Sequence, residues 1–150
     1  MEFAKSQSTT RTAPRCILVP VDFSESSLTA LQHALSLAQQ HKAQLILLHV
    51  TEPFRTDMLM DTTQSQRAAR TVAHERLAKP ADAVKKIWLR TGRELRAGHP
   101  VTTIVALAKR ANAGLIVMGT YGRSGLKRAF IGSVAERVVR LAPCSVLVVR

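Results

Sequence analysis

Four glycines and three basic side chains fall within the fifteen residues GTYGRSGLKRAFIGS, which begin at Gly119. Glycine has no Cβ, so the backbone at Gly119, Gly122 and Gly125 can approach a ligand closely and aim amide N–H groups at it. Gly132 and Ser133 precede a helical pattern, whose unpaired N–H groups and positive dipole end favour an anion, and the Ser133 hydroxyl adds a ligand. The stretch contains no GxxxxGK[ST] motif. Its spacing alone fits two interpretations, a phosphate cradle made of backbone and an ordinary glycine-rich turn.

A carboxylate stands at an equivalent place earlier in the chain. Asp22 directly follows the apolar run CILVPV, as Gly119 directly follows LIVM. Ligands of open α/β sheets bind beyond the carboxyl ends of the strands, where the strand order reverses. If the first strand lies beside the fourth, Asp22 and Gly119 should share one crevice.

The chain offers no recognisable catalytic machinery. GxSxG, HExxH and SGGxDS are absent, and Cys16, Cys144 and the five histidines follow no zinc-ligand spacing. His49, at the end of an apolar run, is interpreted as a hydrogen-bonded structural histidine. We therefore assign no catalytic and no metal-ligating residue, and whether the protein is an enzyme stays open.

Short apolar runs alternate with helical patterns along the chain. Branched, continuous runs at 16–21, 44–50, 115–118 and 145–149 are typical of strands buried on both faces, and 94–98 suggests an edge strand. Helices are predicted from about 24 to 41, 63 to 89, 99 to 111 and 133 to 141, with Pro80 expected to kink or break the second. The order β-α-β-α-β-α-β-α-β predicts a single α/β domain, with helices on both faces of a parallel sheet.

Length and composition agree with one compact domain. The chain has 150 residues, of which 46% are hydrophobic and 21% charged. We expect residues 1–14 to form a flexible tail and residues 15–150 to form the domain. No apolar run is long enough for a membrane span or a signal peptide, which favours a cytoplasmic protein with two reduced, packed thiols.

The charge is concentrated in the second part of the chain. The net charge is +12, and residues 85–150 hold 13 Lys and Arg against 2 acidic residues, so +11 falls in this part. Such asymmetry indicates an anionic partner or a solvated basic surface. Aromatic residues make up only 4%, so the stacking platforms of single-strand nucleic-acid binders are scarce.

Several motifs in order resemble one family. Gly119-x2-Gly122-x9-Gly132-Ser133 fits the G-x2-G-x9-G-[ST] signature of the ATP-binding branch of the universal stress protein family. ILVPVDFS at 17–24, LLHV at 47–50, LIVMG at 115–119 and PCSVLVV at 143–149 are also similar to segments of that family. The resemblance covers about residue 15 to the end.

The resemblance implies a five-stranded parallel sheet in the order 3-2-1-4-5, a dimer built partly on the last strand, and ATP or another adenine nucleotide held with Mg or Mn. It also implies a role for Asp22 at a sugar hydroxyl or near the cation, although a helix-start acid stabilised by the dipole is the alternative. The residues carried over by position as nucleotide-binding are Pro20, Val21, Asp22, Val50, Met118, Gly119, Gly122, Gly132, Ser133 and Val134.

Two segments depart from the family pattern. Where many members have an acidic residue in a Gly-(Asp/Glu)-Pro turn, this chain has Gly98-His99-Pro100, and residues 51–89 contain no family motif that we can align.

We expect an ATP-binding stress-response regulator whose loop 119–133 changes a dimer surface or the surface for an unknown protein partner. One alternative is a slow ATP hydrolase or a protein that autophosphorylates at a loop hydroxyl such as Ser124 or Ser133. Another is a polyanion or nucleic-acid binder that uses the basic C-terminal half, and no membrane partner is expected.

Overall fold

The computed structural model of the chain describes residues 13–52, 62–120 and 131–150. Most of the predicted tail, together with Gly122, Ser124 and Gly125, lies outside these residues. The described part alternates strands and helices and confirms the predicted α/β class. The elements are β1 Cys16–Pro20, α1 Glu25–His41, β2 Gln44–Thr51, α2 Thr62–Ile87, β3 Thr91–Ala97, α3 Pro100–Arg110, β4 Leu115–Gly119, α4 Ser133–Leu141 and β5 Ser145–Val149.

The five strands form one parallel sheet in the order β3-β2-β1-β4-β5. The chain runs outward from β1 to β2 and β3, then returns to the other side of β1 for β4 and β5. This is the order that the family resemblance implies, and it puts the reversal point between β1 and β4. A crevice therefore opens beyond the carboxyl ends of these two strands.

The sheet is covered on both faces, which gives three layers. Alternation along β1 sends Ile17 and Val19 into one apolar cluster and Leu18 into the other. The first cluster contains the buried faces of α1 and α2, and the second contains those of α3 and α4. Because helices cover both faces, β1 is apolar along its whole length rather than alternating with polar residues.

Helix α1 packs closely on the sheet through small residues. Ala30, Ala34 and Ala38 are fully buried, whereas Leu28, which the helical pattern places on the apolar face, is 40% exposed. The Ser24 side chain caps the helix by accepting a hydrogen bond from the Ser27 amide at 3.3 Å.

Helix α2 is a single element of 26 residues that continues through Pro80. Of the two expected outcomes at Pro80, a break in the helix is therefore wrong, and a kink stays a prediction. Leu77 and Ala81, on either side of the proline, are both buried against the sheet. This packing holds the helix together where proline removes one backbone hydrogen bond.

Candidate functional site

An open cleft of about 1270 Å³ lies beyond the carboxyl ends of β1, β2 and β4. Asp22 and Gly119, which the sequence predicts to share a crevice, both line it. Gly122 lies outside the described residues. The other nine residues of the predicted nucleotide site all line this cleft: Pro20, Val21, Asp22, Val50, Met118, Gly119, Gly132, Ser133 and Val134.

Asp22 begins a hydrogen-bonded turn between β1 and α1. Its Oδ1 accepts hydrogen bonds from the Ser24 amide at 3.0 Å and from the Ser24 hydroxyl at 2.5 Å. The residue between them, Phe23, has a φ of 68°, a left-handed conformation that is uncommon for an aromatic residue. The carboxylate thus helps to shape the start of α1 as well as lining the cleft.

Gly119 lies against the first turn of helix α1. A Cβ at this position would lie 2.6 Å from the Ser26 hydroxyl oxygen and 2.9 Å from the Ser27 backbone nitrogen. The missing side chain therefore lets the end of β4 pack against the first turn of α1. Whatever Gly119 does for a ligand, the protein itself already requires glycine here.

Helix α4 begins at the cleft without a side-chain cap. Gly132 is its N-cap residue and supplies no capping hydrogen bond, while its own amide donates to the Thr120 carbonyl at 2.7 Å. The amides of the first helical turn have no acceptor within a helix, and those of Ser133 and Val134 belong to residues that line the cleft. Ser24 caps the start of α1, whereas the start of α4 is open to an anion. Helix α3 also has no side-chain cap, but Pro100 in its first turn has no N–H to donate.

Thr120 is a cleft residue that the sequence analysis missed. Thr120 is 5% exposed, and its Oγ1 has no hydrogen-bond partner among the residues that the structure describes. Its amide donates to the Val149 carbonyl at 2.9 Å, which fixes it between the end of β5 and the start of α4. A hydroxyl-bearing residue directly after the strand-ending Gly119 was the signal that could have identified it.

His49 packs inside the wall of the cleft. Its Nδ1 lies 2.7 Å from the Val21 carbonyl oxygen, and its ring centroid lies 4.6 Å from that of Phe23. The guanidinium carbon of Arg76 in α2 lies 4.5 Å from the Phe23 ring centroid. The interpretation of His49 as a hydrogen-bonded structural histidine agrees with this arrangement.

The two cysteines are free thiols that differ in burial. Cys16 is buried and Cys144 is half-buried. Burial raises the pKa of the Cys16 thiol, and the neighbouring Cys144 raises it further. Burial also raises the pKa of Cys144, partly offset by a backbone hydrogen bond from Ile116. Neither thiol is therefore activated as a nucleophile.

The described ranges hold neither a cluster of metal-ligating side chains nor a helix suited to a membrane. Within residues 13–52, 62–120 and 131–150, no three His, Cys, Asp or Glu side chains come together as a metal site would require. Across the same ranges, no helix combines the length and the apolar character needed to cross a bilayer.

Comparison with known proteins supports the relationship that the motifs indicate. The model of the universal stress protein family matches residues 14–150. Universal stress protein MJ0531 of Methanocaldococcus jannaschii is 36% identical over 143 residues, covering 89% of this chain and 81% of that protein.

Solved structures agree in fold along nearly the whole chain. Universal stress protein UspA from Lactobacillus plantarum superposes with a TM-score of 0.78 at 30% identity, covering 90% of this chain and 97% of the other. A universal stress protein crystallised in complex with cAMP gives a TM-score of 0.71 at 27% identity, covering 92% of this chain and 98% of the other. On its sequence and its fold together, the chain belongs to the universal stress protein family.

Proposed function

We propose that this protein binds an adenine nucleotide, ATP or a related one, in the cleft at the ends of β1, β2 and β4. In this proposal the backbone of Gly119, Gly122 and Gly132 and the hydroxyl of Ser133 hold the phosphates and ribose. Pro20 and Val21 lie at the adenosine end.

The observation that carries the proposal is the uncapped start of α4 inside the cleft. Gly132 leaves the first-turn amides without a side-chain acceptor, while the corresponding position of α1 is capped by Ser24. An anionic group placed there would receive several N–H donors and the positive end of the helix dipole. The structural relative in complex with cAMP, at 27% identity, gives an adenine nucleotide as the ligand to test first.

A divalent cation would accompany the phosphates rather than occupy a site made of protein alone. Two carboxylates, Asp22 and Glu52, are among the described residues that line the cleft. Mg²⁺ is usually bound through one or two carboxylates together with substrate phosphates, and this donor set fits that pattern. Asp22 would then orient a cation or a sugar hydroxyl while its Oδ1 keeps the turn with Ser24.

The regulatory part of the proposal follows from the connection between the cleft and β5. Thr120 links them, because its carbonyl accepts from the Gly132 amide and its own amide donates to Val149. A nucleotide bound at the loop 119–133 would therefore act on the end of the edge strand β5. This strand is the expected dimer surface, or the surface for a protein partner.

The test is a calorimetric titration of the intact protein with Mg-ATP, AMP and cAMP, together with mass spectrometry of ligand released from freshly purified protein. We expect saturable binding that Gly132→Val abolishes, because a side chain at the helix start blocks the approach of a phosphate. The φ of −60° at Gly132 is one that valine adopts, so the variant should fold.

Gly92→Val is the matched control. Gly92 lies in β3, away from the cleft, and a Cβ there meets no atom within 4 Å. This variant should bind as the wild type does. An intact protein that carries no nucleotide and gives no heat with any of the three ligands would contradict the proposal. Following ATP over hours at stoichiometric protein would separate a binding protein from a slow hydrolase.

A further inference from the structure

The arginines of helix α2 line the cleft, and its lysines do not. All three of its arginines, Arg67, Arg70 and Arg76, line the cleft. Its three lysines are absent from the cleft lining: Lys79, Lys85 and Lys86. The distinction is chemical, because the planar guanidinium binds phosphate oxygens through two parallel hydrogen bonds, which an ammonium group cannot do.

These arginines are not neutralised within the described part of the chain. The ion pairs found there join Arg93 with Asp82, Arg96 and Arg110 with Glu94, and Arg140 with Glu136. Arg76 stacks over Phe23, which orients its plane and leaves the N–H groups at its edge. We call Arg67, Arg70 and Arg76 the arginine wall.

The arginine wall and the start of α4 lie on opposite sides of β1. Helix α2 packs on β2 and β3, whereas α4 follows β4 and packs beside β5. Adjacent strands are about 4.8 Å apart, so β2 and β4 are separated by roughly 10 Å. One phosphate group bound at the start of α4 therefore leaves the arginine wall unmatched.

The two carboxylates among the described cleft residues carry less charge than the three arginines of the arginine wall. Asp22 already accepts two hydrogen bonds from Ser24, and Glu52 is the other carboxylate among the described lining residues. The cleft volume of about 1270 Å³ also exceeds the roughly 300–1,000 Å³ of common ligand pockets. There is space and positive charge for a second anionic group.

We infer that the cleft binds an adenine nucleotide carrying a second phosphate group, remote from its 5′-phosphate, and that Arg67 and Arg70 bind this second group. The inference rests on the proposed function, because it places the 5′-phosphate at the start of α4. Nucleotides phosphorylated on the 2′- or 3′-oxygen of the ribose have this chemistry.

The experiment compares ligand pairs that differ by one phosphate. AMP is titrated against adenosine 3′,5′-bisphosphate, and NAD⁺ against NADP⁺, each with wild-type protein at low salt. We expect the bisphosphate or the 2′-phosphorylated ligand to bind about tenfold more tightly than its partner, at about threefold for each of the two exposed arginines. This gain should shrink as salt rises, because the arginines are exposed.

The double variant Arg67→Gln with Arg70→Gln should bind both ligands of a pair with equal affinity, while its affinity for AMP stays within about twofold of wild type. Lys79→Gln with Lys86→Gln is the matched control, because it removes the same charge from the same helix outside the cleft. The control should keep the full gain, which separates a specific contact from the general field of a basic protein.

Three results would overturn the inference. Equal affinities within both ligand pairs would show that no second anionic subsite exists, although AMP binding would leave the proposed function standing. A large loss of AMP affinity in the arginine variant would show that the wall holds the 5′-phosphate itself. Failure of wild type to bind any of the four ligands would overturn this inference, and the proposed function would fall with it only if Mg-ATP and cAMP also failed to bind.

Discussion

At the residue scale, the cleft combines groups that already have a structural partner with groups that have none in the described structure. Asp22 Oδ1 is engaged by Ser24, and the His49 ring by Val21 and Phe23. Thr120 Oγ1, by contrast, is buried without a partner. A buried hydroxyl without a hydrogen bond costs about 1–3 kcal/mol, so a ligand that engaged it would recover this free energy.

Thr120→Val tests this idea, because valine has nearly the same shape and lacks the hydroxyl. Without ligand, we expect the free energy of unfolding to stay the same or to rise by about 1 kcal/mol, since an unsatisfied group is removed. Nucleotide affinity should fall about tenfold if the hydroxyl contacts the ligand. Denaturant unfolding and calorimetric titration measure the two effects separately.

Thr71→Val provides the comparison, because Thr71 is exposed on α2 and its hydroxyl bonds only to the preceding turn at Arg67. Its nucleotide affinity should not change. Undiminished nucleotide binding by the Thr120 variant would show that its hydroxyl makes no contact with the ligand.

At the scale of the elements, the contact between β4 and α1 determines the geometry of the cleft. The first turn of α1 lies so close to the end of β4 that Gly119 has no room for a Cβ. This contact could not be read from the glycine spacing, which equally suggests approach by a ligand. It depends on which helix covers which strand, and that is a property of the assembled layers.

Gly119→Ala should therefore destabilise the protein even without nucleotide. The added Cβ meets backbone atoms of Ser26 and Ser27, which cannot rotate away as the end of a side chain could. Overpacking of this kind costs about 1–3 kcal/mol, to be measured as a lower denaturant midpoint at constant slope.

Gly92→Ala should change the free energy of unfolding by less than about 0.5 kcal/mol, since open space surrounds that position. A Gly119→Ala protein as stable as wild type would mean that α1 does not pack this closely in solution, and Gly119 would then serve the ligand alone.

At the scale of the whole molecule, the two edges of the sheet differ in character. β3 carries Arg93, Glu94 and Arg96, and such charges protect an edge from pairing with another chain. β5 reads SVLVV, with Leu147 38% exposed, and α4 beside it leaves Leu141 56% exposed. An apolar edge strand is suited to pair with a second copy, as the proposed dimer requires.

Leu147→Lys should shift the protein toward the monomer, because a charge on the β5 edge would have to be desolvated in the interface. Sedimentation velocity over a range of concentrations would measure this shift. Leu89→Lys is the control, since Leu89 is 82% exposed and lies at the opposite edge, before β3. The same dimer content in wild type and the Leu147 variant would contradict a dimer built on β5.

The sequence by itself determined the architecture and most of the cleft. Continuous apolar runs, helical spacing between them and the glycine signature were enough to predict the layered α/β fold. With the family resemblance, they also gave the strand order and nine residues that line one cleft. These features are local or follow from the chirality of parallel strand connections, so they can be read without coordinates.

Only the tertiary structure decided how the remaining residues act. Continuation of α2 through Pro80 depends on the burial of Leu77 and Ala81. The position of the arginine wall depends on which face of α2 meets the sheet, and the isolation of the Thr120 hydroxyl depends on β5 and α4 meeting around it. These properties arise from contacts between segments distant in sequence, and no local pattern of residue types specifies them.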